Sequence, residues 1–403
     1  LVAAATIAAE ENWIGKTVLL KGKKDIGIHQ IREDESGALV AVLEQIDYCV
    51  EDQQGNLIKV SDHGIDGWFD KSFAISLEEA VEYFTERIRV SPNDKQAFVY
   101  RAVTWGLKGE IDLAIRDFDD ALRLEPTYLI AYINRGNAWR LKQEFEKAIK
   151  DYDEAVRLDP NCWFVYANRG DVWMLMKDYD NAIKDLDMAI RLDSRRAGVF
   201  ENRGIVWWYR NDYDRAIKDL NEAIRLDPNQ AEAYLIRAFI WRDKKSYDKA
   251  ISDFTSYILH RADDPLPWPL SDVYCKRGKC WLANKQFDRA VKDFKKAIGL
   301  DPNYAPGFRE MAWVLATCPD ENLRDGKRAI QLATKACKLF GWKRGWTLEV
   351  LAAACAEAGF FDEAVRHQTM ALEDPVWERV DRTDEFNRRL DLYKNKKPYR
   401  SLA

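Results

Sequence analysis

YINRGNAWRLKQEFEKAIKDYDEAVRLDPN, residues 132–161, is followed by YANRGDVWMLMKDYDNAIKDLDMAIRLDS, residues 166–194, and by FENRGIVWWYRNDYDRAIKDLNEAIRLDPN, residues 200–229. These are one pattern written three times with a spacing of 34 residues. Phe98, Tyr234 and Tyr274 open three further copies. A period of this length marks a stacked array in which each unit buries its apolar face only against its neighbours. Residues 95–304 are therefore expected to form six repeats of two helices each.

Within one copy the reasons for the two helices are visible. Tyr132, Gly136 and Trp139 recur at i, i+4, i+7, and Ala148, Tyr152 and Ala155 form the inner stripe of the second helix. Gly136 and Ala148 are small where two helices approach closely. Pro160 ends the second helix, because it has no N–H and disfavours helix at Asp159. Asp159-Pro160-Asn161 returns as Asp227-Pro228-Asn229 and Asp301-Pro302-Asn303.

Two recurring slots go beyond helix formation. Trp105, Trp139, Trp173, Trp207, Trp241 and Trp281 share one of them, on the buried stripe, and are read as packing between successive hairpins. Arg101, Arg135, Arg169, Arg203, Arg237 and Arg277 share the other. Each is followed sixteen residues later by an aspartate: Asp117, Asp151, Asp185, Asp219, Asp253 and Asp293. A half-buried guanidinium needs a carboxylate partner, so an Arg–Asp pair is predicted in every repeat, within one hairpin or across to its neighbour. The alternative is a row of arginines that grips acidic ligands.

The filled Gly/Ala, Tyr/Phe, Ala and Pro slots resemble the tetratricopeptide repeat family. The resemblance implies a mainly α fold: an α-solenoid, a right-handed superhelix of helical hairpins. Its concave groove, lined by the first helix of each repeat, binds peptides or protein segments. In this family the arginine slot is usually Leu and the tryptophan slot a smaller aromatic.

Around the array the chain changes character. Residues 1–11, LVAAATIAAEE, read as a signal-peptide remnant cleaved after Ala8 or Ala9, or as a leader. Residues 12–75 carry short β-prone runs, TVLLKG, GIHQIRE, ALVAVLEQIDYCV and LIKV, separated by Gly- and Asp-rich turns. They suggest a small barrel. Trp13–Val18 and Gly67–Phe73 resemble the opening and closing strands of SH3-like domains. Only Tyr48, Trp68 and Phe69 offer aromatic surface there, so a structural cap and a ligand-binding module both stand. Gly15-Lys16-Thr17 is no phosphate loop, since Glu10 sits where a second glycine is needed.

Residues 76–94 are an N-terminal capping helix, opened by Ser76 with Glu79 in a capping box and striped by Leu77, Ala80, Val81, Phe84 and Ile88. Pro265–Leu270 insert six residues into the array. Three prolines there forbid helix and imply a loop, with Trp268 as an exposed aromatic. Residues 305–374 are two degenerate hairpins, with Ala329, Ala333 and Ala336, then Ala352, Ala364 and Ala371, in the small slots. Residues 375–403 supply a C-terminal capping helix sealed by Phe386, Leu390 and Tyr393, and a basic tail of Lys394, Lys396, Lys397 and Arg400. These segments resemble the C-terminal end of bacterial tetratricopeptide proteins, notably planctomycete ones, in which a small β domain can precede the array.

Net charge is −5, which argues against nucleic acid as partner, because phosphate binding needs a concentrated basic face. No stretch approaches the roughly 18 apolar residues of a membrane span. His29, His63, His260 and His367 are scattered without metal spacing, and no nucleophile or phosphate motif is present. No catalytic residue, cofactor or metal is assigned. The seven cysteines are read as small buried side chains, with one disulfide among Cys318, Cys337 and Cys355 as the other reading.

The reading is a non-catalytic interaction scaffold that is exported to a periplasm or cell envelope, or otherwise cytoplasmic. Its groove is assigned to Asn137, Arg140, Leu141, Asp171, Met174, Leu175, Ile205, Trp208, Tyr209, Phe239, Arg242 and Asp243, for a peptide with aliphatic or aromatic anchors. The alternatives are a structural subunit of an envelope assembly that self-associates as a homo-oligomer, and an adaptor whose β domain binds a second ligand.

Overall fold

A computed structural model describes residues 74–260, 268–342, 344–373 and 383–401, and ahead of them seven short strands. Side chains are described from residue 78 on, so the leader and the aromatic residues of the β-prone segment lie outside the described residues. The chain divides into two compact units, Leu1–Asp193 and Ser194–Ala403.

The first unit opens with strands β1 (Thr17–Leu20), β2 (His29–Arg32), β3 (Leu39–Leu43), β4 (Asp47–Cys49), β5 (Asp52–Gln54), β6 (Leu57–Asp62), β7 (Ile65–Asp70) and β8 (Ala74–Ser76). They pair antiparallel in two sheets, of order β4-β1-β8 and β3-β2-β7-β6-β5. Helix α1 (Leu77–Val90) follows β8 directly. Then come three hairpins: α2 (Lys95–Leu107) with α3 (Ile111–Leu124), α4 (Leu129–Leu141) with α5 (Phe145–Leu158), and α6 (Trp163–Leu175) with α7 (Tyr179–Leu192).

The second unit holds α8 (Ala197–Tyr209) with α9 (Tyr213–Leu226), α10 (Ala231–Asp243) with α11 (Tyr247–His260), and α12 (Leu270–Ala283) with α13 (Phe287–Leu300). The two degenerate repeats are also hairpins: α14 (Ala305–Thr317) with α15 (Gly326–Leu339), and α16 (Gly345–Glu357) with α17 (Phe361–Leu372). Helix α18 (Thr383–Lys394) closes the unit. Its Phe386 and Tyr393 are buried, as expected of a seal, whereas Leu390 is only half-buried. Of the expected Pro265–Leu270 loop, residues 265–267 lie outside the described residues, and Leu270 already begins α12, with Pro269 as its N-cap.

Seven of the eight described hairpins turn the same way; the α14–α15 link instead passes through a 3-10 turn, Glu321–Leu323. After α4 the chain takes a left-handed residue, Gln143 at φ 60°, and the Glu144 and Gln143 N–H groups donate to the Trp139 and Arg140 carbonyls, both at 2.9 Å. This pairing satisfies carbonyls that the helix end leaves open. Lys177, Asn211, Lys245 and Lys285 repeat it, and Gly109 and Gly359 fill the position with the residue that suits it best. The second helix stops at Asp159, extended at φ −137° and ψ 94°, the conformation Pro160 imposes on its predecessor.

The small slots are small for the expected reason. A Cβ on Gly136 would lie 2.8 Å from Cε1 of Tyr152, and one on Gly278 2.6 Å from Cε1 of Phe294. Tyr152, Ala148 and Ala155 are buried beneath. Trp139 packs on the cores of its own repeat and of the preceding one, as expected of a tryptophan ladder. Its outer ring face carries Lys147 at 4.4 Å. Trp207 carries Arg215, Trp241 carries Lys249 and Trp281 carries Arg289 in the same way. The cation covers a ring that packing alone leaves half-open.

The Arg–Asp pair forms in all six repeats. Nε and Nη2 of Arg101, Arg135, Arg169, Arg203, Arg237 and Arg277 donate to the two carboxylate oxygens of the aspartate sixteen residues on, at 2.6–2.8 Å. Every one of these aspartates is buried. The third nitrogen reaches the previous second helix: Nη1 of Arg135 donates to Asp119 at 2.5 Å, of Arg169 to Asp153 at 2.6 Å and of Arg237 to Asn221 at 2.6 Å. One guanidinium thus closes its own hairpin and ties it to the one before. An arginine row committed in this way is not a row of open ligand grips.

All six described cysteines are free thiols, including Cys318, Cys337 and Cys355, so the disulfide reading of those three is corrected. All but Cys162 are buried. Burial pushes the Cys275 thiol up to about 12 and those of Cys280 and Cys355 up to about 11, which keeps them protonated at neutral pH.

Candidate binding face

The second helices cover one side of the first helices. What the first helices turn away from them is the surface on which the predicted residues lie. In the first unit α2, α4 and α6 are neighbours, so their faces are continuous. Leu107, Leu141 and Leu175 occupy one slot at the end of each and are 41%, 61% and 48% exposed. Asn137, Arg140, Asp171 and Met174 lie beside them, half-buried. Asn137 accepts a hydrogen bond at 2.6 Å from the hydroxyl of the buried Tyr152, which fixes its amide.

In the second unit the same slots read differently. Tyr209 is 52% exposed, and Ile205, Trp208 and Arg242 are half-buried. Asp243 is exposed and pairs with Arg242 at 2.7 Å. Phe239, expected on the open surface, is only 3% exposed. Trp208 stacks on it with centroids 6.2 Å apart, Trp268 covers it at 5.2 Å, and Phe254 meets it edge-on from below. Arg242 adds a cation at 5.2 Å. Trp268, expected as exposed, is therefore half-buried and serves as the lid of Phe239; its carbonyl accepts from the Tyr257 hydroxyl at 3.4 Å.

Further along, residues the sequence reading did not single out take the same slots. Lys279 of α12 pairs with Glu310 of α14 at 3.0 Å, and Arg309 pairs with that carboxylate as well. Burial works to raise the Glu310 carboxyl, but Arg309 and Lys279 hold it below its usual value, so it stays charged. Trp313 and Thr317 of α14 and Glu357 of α16 continue the series. Their one signal in the sequence is position: Trp313 and Thr317 lie 74 residues beyond Phe239 and Asp243, and Glu357 lies 40 beyond Thr317.

Among the described residues no group of three His, Cys, Asp or Glu is placed to hold a metal ion, and no helix is long and apolar enough to cross a membrane.

Family models of the tetratricopeptide repeat match residues 130–162 and 271–304, and a second model of that repeat matches residues 202–267. No curated protein matches the chain. Among solved structures, Pseudomonas aeruginosa pilF is 19% identical over 54% of this chain and 96% of its own, with a TM-score of 0.47. A tetratricopeptide repeat protein from Parabacteroides merdae is 22% identical over 56% and 87%, with a TM-score of 0.44. YrrB, described as a TPR protein with an unusual peptide-binding site, is 23% identical over 48% and 96%, with a TM-score of 0.40. The chain carries tetratricopeptide repeats, and such repeats mark a protein–protein interaction scaffold.

Proposed function

We propose that this chain, built from tetratricopeptide repeats, binds a peptide or an extended protein segment along the outward face of its first helices. The observation that carries this reading is the row Leu107, Leu141 and Leu175. Three aliphatic side chains stand in water at one slot of successive helices; the other exposed large apolar side chains of these repeats, Leu124, Ile130 and Phe164, share no slot across all three. A row of exposed apolar side chains flanked by polar ones is the pattern of an interaction surface. Arg140, Asp171 and Asn137 beside it supply directional contacts.

Peptides selected from a display library against the intact protein test this. Each leucine that becomes buried contributes about 1.5–3 kcal/mol, or roughly tenfold or more in affinity. Leu141→Glu with Leu175→Glu is expected to weaken the selected peptides by more than tenfold while the melting temperature holds. Peptides that bind the double variant as tightly as the parent would refute the assignment.

In the same reading, residues 12–75 form an SH3-like domain that caps the array, and the protein is exported. The opening LVAAATIAAEE supports the second point through its small and apolar residues. Self-association as an envelope subunit is the competing function, and a concentration-independent monomer in light scattering counts against it.

A further inference from the structure

The first-helix face of the last two repeats is already occupied. After α18 the chain reverses at Lys396, left-handed at φ 55°. The Lys396 and Lys397 N–H groups donate to the Tyr393 and Leu392 carbonyls at 3.0 and 2.9 Å. Pro398 prevents further helix. Residues 399–401 then return to α14 and α16. Tyr399 lies on Trp313 with centroids 5.9 Å apart. Arg400 pairs with Glu357 at 2.6 Å. The Ser401 N–H donates at 3.0 Å to the Thr317 carbonyl, one of those that the end of α14 leaves open. Thr317 and Glu357 stand at the slot that holds Leu141 and Leu175 in the first unit.

Helix α18 and this tail are bound with unequal firmness. Arg389 of α18 is 4% exposed. It is boxed by Trp313, Phe386 and Tyr399 at 5.0, 5.5 and 4.5 Å, and it pairs with Glu349 and Glu385. Together with Phe386 and Tyr393 it makes α18 a permanent part of the fold. Residues 398–401 are only half-buried and hold on through the Tyr399 ring against Trp313 and Arg389, the Tyr399 hydroxyl, which donates to Glu385 at 3.4 Å, one ion pair and one backbone hydrogen bond. Glu357 keeps its orientation without them, because Arg324 holds its other oxygen at 3.0 Å. Beside Ser401 a cavity of about 190 Å³ opens between Leu282, Phe287, Trp313, Val314, Cys318 and Pro319.

We propose that residues 397–401 are a built-in ligand of this face, exchanged for an external peptide of the same chemistry: an aromatic residue next to an arginine. The aromatic ring stacks on Trp313 and the guanidinium takes the free oxygen of Glu357. An apolar residue following them enters the cavity. The tail keeps this part of the face closed until a peptide of that kind competes. The inference rests on the first-helix face being the ligand face, but it concerns other repeats and another probe than the leucine variants do.

The probe is the fluorescent peptide NKKPYRSLA, the sequence of residues 395–403. It is titrated into the full chain and into the Tyr399→Ala, Arg400→Glu double variant, whose fold is checked by circular dichroism. A site closed in nine molecules of ten or more shows an affinity lowered by about tenfold or more. The double variant is therefore expected to bind at least about tenfold more tightly than the parent, and adding Glu357→Lys to it is expected to abolish the gain. Equal binding by parent and double variant, or none by either, overturns the proposal. A second readout needs no variant: saturation of the parent with the peptide is expected to speed hydrogen exchange of the Tyr399 to Ser401 amides at least tenfold. Unchanged exchange at saturation overturns it as well.

Discussion

The first helices α4 and α16 share a template and present opposite surfaces. At the end of α4, Leu141 stands in water; at the end of α16, Glu357 is held by Arg324 and covered by Arg400. The slots that shape the hairpin hardly change between them. Gly136 answers to Ala352, and Ala148 answers to Ala364, all buried. The hairpin depends on the inward slots alone, so the outward ones are free to differ. In α4 they stand open, and in α14 and α16 residues 399–401 fill them.

A second contrast between the same regions concerns charge. The arginine slot holds Arg169 in α6 but Met311 in α14, and the aspartate slot holds Asp185 in α7 but Leu332 in α15. Met311 and Leu332 are buried in one apolar cluster. The two charges have been lost together, as expected when either alone is costly. The largest predicted effect follows. Arg169→Met leaves the buried Asp185 without its fork and should cost about 3–5 kcal/mol in urea unfolding. Arg169→Met with Asp185→Leu should recover most of that loss. A single variant as stable as the parent would break the parallel with the last repeats.

The small slot gives a lesser effect. Gly278→Ala and Gly136→Ala place a methyl against the rings of Phe294 and Tyr152, and should cost about 1–3 kcal/mol by the same measurement. Gly170→Ala meets Leu186 at 3.0 Å and should cost less, since that side chain has room to turn. Ala102 and Ala238 already fill this slot opposite Phe118 and Phe254, so a shift of the facing ring is the adjustment to look for.

What the sequence disclosed follows the same division. Slots that recur act as an alignment within one chain. The hairpins and the Arg–Asp fork were readable because six copies agree on them, and the proline stops because four do. Contacts made once left no such record. Trp268 covers Phe239 from an insert that no second copy has, so no slot in another repeat foretells the contact. Phe239 was therefore assigned to the open face and proves to be inside. The tail reads in the sequence only as a basic end, and nothing there shows that Arg400 is paired with Glu357. For α18 one clue was present: Phe386-Asn387-Arg388-Arg389 repeats the spacing of Tyr166-Ala167-Asn168-Arg169. It places Arg389 in the arginine slot of a further first helix, where Glu349 and Glu385 answer it in place of an aspartate. The assigned residues of the first unit do lie on one face, because slot arithmetic suffices where nothing folds over them.

Hydroxyl-radical footprinting read by mass spectrometry tests the contrast between the two ends most directly. Leu141, Leu175 and Tyr209 are expected to oxidise readily in the intact chain. Trp313 and Tyr399, although intrinsically more reactive than leucine, are expected to stay protected until the tail is released by Tyr399→Ala with Arg400→Glu, when Trp313 becomes reactive. A Trp313 that oxidises in the parent as fast as it does in that variant would contradict the account.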